Sequence, residues 1–281
     1  MSRLTARRTD RREPQVIIPK REVMHICDWI KRYFVENGDE NTKAVIGISG
    51  GKDSTVAAGL LAQALGANRV IGVLMPEGEQ RDIEDARKVC ELLNIRSYEI
   101  NIGEACNSLY HAIDVGYDYN KNINKNPAVS TNTPSRIRMA TLYAIAAEIG
   151  GRVCNTCNYS EDYVGYSTKY GDAAGDFALL KHYTVREVLQ IGKELLVPEF
   201  LLKKIPEDGM SGMSDEEKLG FTYEELDAYL LDGVVPSAET LFKIESLHAK
   251  GRHKEFYIPT VRPLTRHYIS DKWTENGIRF A

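Results

Sequence analysis

Residues 47–54 read Gly-Ile-Ser-Gly-Gly-Lys-Asp-Ser and place glycines, hydroxyls, a lysine and a carboxylate within one short segment. The apolar run 44–46 precedes this segment, and residues 54–61 continue it with a largely apolar stretch, so the passage is predicted to be strand, loop and helix. Glycines let a backbone approach a ligand closely, and loop amides together with a helix N-terminus bind anions. The segment therefore predicts a phosphate-binding loop.

Asp53 distinguishes this loop from the Walker A loop, in which Ser or Thr directly follows the lysine. A carboxylate inside a phosphate-binding loop repels the ligand unless a divalent cation lies between them. Asp53 is therefore predicted to be a Mg²⁺ ligand. The alternative, a purely structural glycine turn, is disfavoured because Ser49 and Ser54 also suit phosphate and metal binding.

Further candidate ligands occur in a polar stretch, residues 156–176, which follows a predicted strand at 152–155. Upstream of it, a helix is predicted to open at Thr133-Pro134 and to carry Arg136 and Arg138, which point in different directions because they are two residues apart. Polar side chains at the carboxyl end of a strand are typical of a functional loop.

Two other patterns could be functional but also have ordinary structural explanations. His253-Lys254 lies in the charged run 250–254, and such runs are usually solvated surface. Cys154-x-x-Cys157 resembles half of a zinc site or a redox pair, but no second Cys or His pair stands at zinc spacing. Structural thiols are therefore the favoured reading of the two cysteines.

The elements that must position these residues alternate along the chain. The periodicity predicts helices at about 23–34, 54–65, 82–94 and 133–149 and strands at 44–48, 70–74, 97–100 and 152–155. Such alternation predicts an α/β fold, a doubly wound and mostly parallel sheet with helices on both faces. Residues 114–132 are predicted to form a surface loop and 207–215 a flexible flap. Capping boxes at Thr184–Glu187 and Thr222–Glu225 predict two more helix starts.

Composition indicates a soluble enzyme. The 281 residues are 43% hydrophobic, and the net charge of −4 leaves no general nucleic-acid footprint. No apolar segment approaches membrane-spanning length, and the five cysteines suit reduced thiols in a cytoplasm. Residues 1–20, rich in arginine, are predicted to be a disordered basic arm, followed by a single domain over 21–260 and a tail over 261–281.

The loop at 47–54 is the signature of the PP-loop (N-type) ATP pyrophosphatases. Further motifs resemble one family within them, the ammonia-dependent NAD⁺ synthetases: Arg136-Ile-Arg138-Met139, Asn155-Thr156, Glu161, and the run Gly165–Asp172 with Asp176 four residues on. Asp215-Glu216, Leu219–Tyr223 and His253-Lys254 extend the resemblance, which covers roughly residues 20–260. It implies an adenine nucleotide alpha hydrolase-like, Rossmann-like fold.

The resemblance implies that ATP adenylates the carboxylate of deamido-NAD⁺ and that ammonia then displaces AMP. It also implies Mg²⁺, a cytoplasmic homodimer, and free ammonia rather than glutamine, because no room remains for an appended glutamine-hydrolysing domain. The implied ATP ligands are Gly47, Ile48, Ser49, Gly50, Gly51, Lys52, Asp53, Ser54, Gln80 and Thr156, and the implied metal ligands are Asp53 and Glu161. The implied deamido-NAD⁺ ligands are Arg136, Lys169, Asp176, His253 and Lys254.

Asp53, Asp172 and Lys181 are the residues expected to act in catalysis. Lys181 enters because Val185 stands where the family commonly has a lysine for ATP phosphate, and Lys181 is the nearest cation that can replace it. Two alternatives remain beside the synthetase: another PP-loop enzyme, such as a tRNA thiolase or a different amide ligase, and a non-catalytic nucleotide-binding relative.

Overall fold

The computed structural model describes residues 16–80, 83–116, 127–204, 214–254 and 260–261. Within these ranges the strands are β1 (Ala44–Gly47), β2 (Val70–Leu74), β3 (Arg96–Glu99), β4 (Arg152–Asn155) and β5 (Phe177–Ala178). The α-helices are α1 (Pro19–Glu36), α2 (Lys52–Leu65), α3 (Ile83–Leu92), α4 (Gly103–Gly116), α5 (Pro127–Ile149), α6 (Tyr159–Tyr163), α7 (Val185–Glu194), α8 (Glu199–Leu202), α9 (Asp215–Leu219), α10 (Tyr223–Asp227) and α11 (Ala238–Gly251).

All five strands form one parallel sheet in the order β3-β2-β1-β4-β5. Chain order therefore reverses between β1 and β4, which are direct neighbours in the sheet. In a doubly wound sheet, this switch point opens a crevice at the carboxyl ends of the strands. The fold class predicted from the sequence is confirmed, and the loops after β1 and β4 are the ones that border the crevice.

Strands β1, β2, β4 and β5 are largely buried on both sides because helices cover both faces of the sheet, whereas the edge strand β3 is mostly exposed. In β1, Ala44 and Ile46 join a large core with α1, α2 and α7, whereas Val45 faces a second core with α4 and α5. The side-chain period of two in a strand requires this division. The sheet is therefore packed between two helical layers, which hold the carboxyl ends of its strands in fixed positions.

The long helix α5 departs from the sequence expectation. The helix was predicted to open at Thr133-Pro134, yet α5 begins at Pro127 and Pro134 lies inside it. A proline at the first position favours helix initiation, and the side chain of Asn132 accepts a hydrogen bond of 2.8 Å from Thr168 Oγ1, which fixes the early turns. The loop predicted at 114–132 is therefore wrong at both described ends, because α4 extends to Gly116.

A third apolar cluster lies apart from the two sheet cores and joins α6, α9, α10 and α11 with the start of α7. The capping boxes predicted at Thr184–Glu187 and Thr222–Glu225 open α7 and α10, as expected. The flap predicted at 207–215 falls outside the described residues except for Ser214 and Asp215, which open α9. None of the helices in the described ranges is long and apolar enough to cross a membrane.

The described residues include both ends of the predicted domain. Helix α1 begins at Pro19, and residues 1–15 of the predicted basic arm lie outside the described residues. At the other end, Thr260 pairs in parallel with Ala178 of β5, and Val261 is fully buried in the larger sheet core. The first residue of the predicted tail therefore belongs to the folded core.

Candidate active site

The loop between β1 and α2 is fixed by its own hydroxyls. Ser49 Oγ lies 3.1 Å from Ser54 Oγ and accepts a 3.2 Å hydrogen bond from the Gly51 amide. Gly50 has φ +78°, and a Cβ on it would lie 2.8 Å from the backbone nitrogen of Ala86. Only glycine satisfies both constraints. The loop conformation is thus fixed by local hydrogen bonds and by a glycine that no other residue can replace.

Helix α2 starts directly after this loop, with Gly51 as its N-cap. The first amides of a helix have no partner within it, and the helix dipole adds positive potential at that end. The predicted phosphate-binding residues Gly47 to Ser54 therefore occupy the end of β1, the loop and the first turn of α2, as the sequence predicted.

Lys52 is only 5% exposed, and its ammonium contacts Asp53 Oδ2 at 2.9 Å. Burial alone lowers the pKa of Lys52, but the carboxylates of Asp53, Glu161 and Asp215 outweigh burial and raise it. The ammonium also lies 5.7 Å from the centre of the Tyr223 ring. Lys52 is therefore a fixed, charged group at the base of the phosphate-binding loop.

Asn158 joins the two sides of the crevice. Its side-chain oxygen accepts a 3.0 Å hydrogen bond from the Glu161 amide and caps α6, and its Nδ2 donates to Asp53 Oδ1 at 3.0 Å. Glu161 completes the capping box by accepting from the Asn158 amide at 3.2 Å. One capping residue therefore brings the carboxylates of Asp53 and Glu161 together from the loops after β1 and β4.

The electrostatics of this pair suit a cation. Burial first, and then the nearby charge of Asp53, raise the pKa of Glu161 well above its ordinary value. Across the described residues, no group of three or more His, Cys, Asp or Glu side chains is placed to hold a metal alone. Mg²⁺ typically binds through one or two carboxylates and completes its shell with waters and phosphate oxygens. Asp53 and Glu161 fit that donor set.

A second group of predicted ligands surrounds the loop 165–172. Asp172 Oδ1 accepts hydrogen bonds from the Thr168 amide at 2.8 Å and from Ser135 Oγ of α5 at 2.7 Å. Arg136, on the next position of α5, donates from Nε to the Lys169 carbonyl at 3.3 Å. The loop is thus clasped to α5, and the exposed Arg136 guanidinium lies beside it.

The C-terminal end of α11 holds the same loop from the other side. Lys254 Nζ donates to the carbonyls of Gly165 and Ser167 at 2.7 and 2.8 Å, and Lys169 Nζ donates to the His253 carbonyl at 2.6 Å. The structure therefore brings Arg136, Lys169, Asp172, His253 and Lys254 together, although they are spread over more than a hundred positions in the sequence.

The two groups meet at the end of β4. Asn155 Nδ2 donates to the Asp172 carbonyl at 2.8 Å, and Asn155 Oδ1 accepts from the Cys157 amide at 2.9 Å. Thr156, a predicted ATP ligand, lies partly exposed between them. The segment after β4 therefore contacts both groups, because Asn155 bonds to the loop 165–172 and Asn158 bonds to Asp53 of the phosphate-binding loop.

Asp176 occupies a different environment. Its Oδ2 accepts from the Val153 amide of β4 at 2.7 Å, and its Oδ1 accepts from Tyr143 Oη of α5 at 3.2 Å. Its carbonyl accepts from Tyr33 Oη of α1 at 3.0 Å. The carboxylate therefore joins β4 to α5, while the backbone carbonyl of the same residue accepts from α1.

Lys181 and Gln80 are two further residues predicted for the site. The Lys181 ammonium contacts Asp162 Oδ2 at 2.8 Å, so it adjoins the residue after Glu161. Val185, the position it was expected to replace, is buried in the third apolar cluster. Gln80 lies past the end of β2, and its carbonyl accepts from the Ile83 amide at 3.5 Å.

Sequence reasoning missed two polar groups that shape the site. Asn158 was only one of many polar residues in its stretch, although its spacing from Glu161 is a capping box. Buried Asp227 accepts from Ser160 Oγ at 2.5 Å and from the Arg186 amide at 2.7 Å, and burial raises its pKa to about 6. No local signal could have revealed Asp227, because its partners lie 67 and 41 residues away.

The environment of the cysteines is consistent with structural thiols. All five are free and buried, and burial raises the pKa of both Cys154 and Cys157. A thiol needs a lowered pKa and access to solvent to react or to bind a metal readily. Cys154 and Cys157 therefore contribute to packing at the end of β4.

Comparisons with known proteins agree with this geometry. The family model described as NAD synthase matches residues 22–255. The chain is 36% identical over 246 residues to the NH(3)-dependent NAD(+) synthetase of Alkaliphilus metalliredigens, a match that covers 85% of this chain and 96% of that protein. It is 39% identical over 200 residues to the Pyrococcus furiosus enzyme of the same name, covering 70% of this chain and 75% of that one.

Solved structures give the same result. The NMN synthetase from Francisella tularensis superposes with a TM-score of 0.77 at 32% identity, covering 86% of this chain and 98% of that one. The NH3-dependent NAD synthetase from Campylobacter jejuni superposes with a TM-score of 0.65 at 25% identity, covering 88% of this chain and 100% of that one. From the family match, the close relatives and the assembled crevice, it follows that the chain belongs to the NAD synthase family.

Proposed function

We propose that the chain is an ammonia-dependent NAD⁺ synthetase, a ligase that forms an amide bond at the expense of ATP. The carboxylate of deamido-NAD⁺ is joined to AMP with release of pyrophosphate, and ammonia then displaces AMP to give NAD⁺. The observation that carries the proposal is that the segment after β4 contacts both groups, through Asn158 to Asp53 of the phosphate-binding loop and through Asn155 to Asp172 of the loop 165–172. Adenylation requires two anionic substrates to meet, and this arrangement provides a place for each.

On the ATP side, the loop amides, the start of α2 and Lys52 offset the charge of the phosphates. Gln80 and Thr156 are proposed as further contacts to ATP. Asp53 and Glu161 are proposed to hold Mg²⁺, which when bound neutralises phosphate charge and stabilises the pyrophosphate that leaves. Asn158 keeps both carboxylates in place, because it is hydrogen-bonded to Asp53 and Glu161 at once.

On the dinucleotide side, Arg136 and Lys169 are proposed to bind anionic oxygens of deamido-NAD⁺, since charge-assisted hydrogen bonds to such groups are strong. His253 and Lys254 are proposed to close over the same ligand, and Asp172 to line it and act at the reacting end. Asp176 is also proposed as a deamido-NAD⁺ contact. Asp176 would contact the ligand while its carboxylate keeps its hydrogen bonds to Val153 and Tyr143.

The reaction is tested with purified chain, ATP, Mg²⁺ and deamido-NAD⁺, supplied either with ammonium chloride or with glutamine. NAD⁺ and AMP are expected to form in equal amounts with ammonium, and the glutamine reaction is expected to be negligible. Comparable rates with glutamine would contradict ammonia dependence. No amidation with either donor would contradict the proposed function and return the choice to other PP-loop enzymes.

Amidation of a mononucleotide is the second candidate, because the Francisella tularensis neighbour is described as an NMN synthetase. The cations around the loop 165–172 favour the dinucleotide, which presents a pyrophosphate as well as a carboxylate. Nicotinic acid mononucleotide is expected to have a kcat/KM at least about a hundredfold lower, a gap of roughly 2.7 kcal/mol in transition-state binding. Equal or better use of the mononucleotide would assign the chain to the second activity.

A homodimer is proposed as the working form. Helix α5 spans 23 residues, all described, yet only Pro134 and Ala146 of them are buried. Its exposed and half-exposed surface continues onto α4, where Leu109 and Val115 are 39% and 72% exposed. An apolar helix with so little burial is typical of a surface covered by another subunit. Sedimentation at micromolar concentration tests this, and a monomer there would contradict it.

The proposed location is the cytoplasm. The five free, buried thiols support it, because a reducing compartment keeps cysteines in that state. The formal charge of −4 also fits a partner set of small molecules rather than nucleic acid.

A further inference from the structure

Tyr223 is the first residue of α10, and its ring forms part of the wall next to the phosphate-binding loop. The residue is 4% exposed, and Lys52 Nζ lies 5.7 Å from its ring centre. Its amide donates to Glu216 Oε1 at 2.8 Å, which fixes the start of the helix. The backbone and ring are thus anchored, and the position of the hydroxyl follows from them.

The Tyr223 hydroxyl is buried and has no hydrogen-bond partner among the described residues. A buried hydroxyl without a partner destabilises a fold, and such groups are rare in native proteins. Phenylalanine would fill the same space without that penalty. The hydroxyl is therefore best explained by a partner that arrives with a ligand.

The groups around the hydroxyl indicate the chemistry of the ligand that would bind there. Burial first, followed by the charges of Glu161, Asp215 and Asp53, raises the pKa of Tyr223, so the hydroxyl is a neutral donor. Each of them already accepts from another group: Asp53 from Lys52 and Asn158, Glu161 from the Asn158 amide, and Asp215 from Tyr166 Oη at 2.7 Å. None of these bonds reaches the Tyr223 hydroxyl, and an acceptor brought by a ligand would give it a partner.

We propose that the Tyr223 hydroxyl is a ligand-binding group of this site and donates a hydrogen bond to a phosphate oxygen of bound ATP. The inference rests on the proposed function for the identity of the nucleotide. A phosphate oxygen is a strong acceptor, and the fixed Lys52 ammonium beside the ring supplies the positive charge that draws such an anion to this position. The hydroxyl then gains its first partner when ATP binds.

Tyr223→Phe tests this directly, because it removes the hydroxyl and keeps the ring beneath Lys52. Binding of ATP with Mg²⁺ is measured by calorimetry without deamido-NAD⁺, and thermal unfolding is measured without ligand. The expected results are an ATP Kd raised about tenfold to a hundredfold and an unchanged or higher Tm of the ligand-free protein.

Tyr229→Phe is the matched control, since Tyr229 follows on the next turn and its hydroxyl donates to Glu245 Oε1 at 2.8 Å. This variant is expected to keep the wild-type ATP Kd and to lose Tm. An unchanged ATP Kd in Tyr223→Phe, or a ligand-free Tm that falls as in Tyr229→Phe, would overturn the inference. If wild-type chain binds ATP but amidates nothing, the proposed function fails while the Tyr223 result still stands.

Discussion

The contact between Gly165 and Gly251 gives the sharpest prediction, because it fixes the sign of a substitution. A Cβ on Gly251, the last residue of α11, would lie 2.8 Å from Gly165 Cα and 3.1 Å from Gly165 N. Both neighbours are backbone atoms, which cannot turn aside as a side chain can. Gly251→Ala must therefore push α11 away from the start of the loop 165–172.

The two opposing effects have known sizes. Glycine to alanine in a helix ordinarily stabilises a protein by about 0.4–1 kcal/mol. Overpacking of a close contact destabilises by about 1–3 kcal/mol. Contact below 3 Å with backbone belongs to the upper part of that range, so a net loss of about 1–2 kcal/mol is expected. For a chain of this size, that loss lowers the Tm by roughly 3–6 °C.

The displacement of α11 should also weaken the binding of deamido-NAD⁺. His253 and Lys254 directly follow Gly251, and Lys254 holds the carbonyls of Gly165 and Ser167. Gly251→Ala is therefore expected to raise the KM for deamido-NAD⁺ severalfold and to leave the ATP Kd near wild type. Differential scanning calorimetry and steady-state kinetics with each substrate varied in turn measure both effects.

Gly59→Ala provides the control, because Gly59 lies inside α2 and its added Cβ would meet Leu195 Cδ1 at an ordinary 3.5 Å. That variant is expected to be as stable as wild type or more so. If Gly251→Ala were stabilised to the same extent as Gly59→Ala, the close approach of α11 to the loop would be refuted.

The remaining predictions concern the charged groups. Because the pKa of Glu161 is raised in the folded protein, its contribution to metal-free stability is present below about pH 4.5 and is lost as pH rises through the folded pKa. Thermal melts with a chelator should show this loss of stability with rising pH. Glu161→Gln should flatten the pH dependence, whereas the control Glu187→Gln should not. Asp53→Asn should lower kcat by about a thousandfold with the fold intact, since a metal contributes several kcal/mol to such transition states; turnover near wild type with unchanged Mg²⁺ dependence would reject the metal assignment. Lys181→Ala should raise the ATP KM more than the exposed control Lys193→Ala, because Lys181 contacts Asp162 beside Glu161; equal, small effects would remove Lys181 from the site.

Local sequence was sufficient wherever a structure depends on neighbours along the chain. Strand 70–74 and the capping boxes at 184–187 and 222–225 occur at the predicted positions, because a strand alternation or a cap involves residues only a few positions apart. The phosphate-binding loop is equally local, since its hydroxyls and glycines contact one another within six residues. Family resemblance extended the prediction to residues that the loop alone does not specify.

Where helix α5 begins, and what Asp176 contacts, were decided by contacts between distant segments. Asn132 is held by Thr168, 36 positions away, and Asp176 contacts Val153 and Tyr143, 23 and 33 positions away. From sequence alone, a polar run whose partner is distant is predicted to be a loop, and the protein groups that Asp176 contacts are not specified.

The sequence by itself predicted the phosphate-binding loop with Asp53 from residue types at fixed spacings, and the resemblance to a family added the reaction and the second acidic residue. Only the tertiary structure decided which of those residues contact one another. It joined Asp53 to Glu161 through Asn158 and left the Tyr223 hydroxyl without an acceptor among the described residues. The physical reason is that hydrogen bonds depend on distances in space, and chain folding at the switch point between β1 and β4 sets those distances.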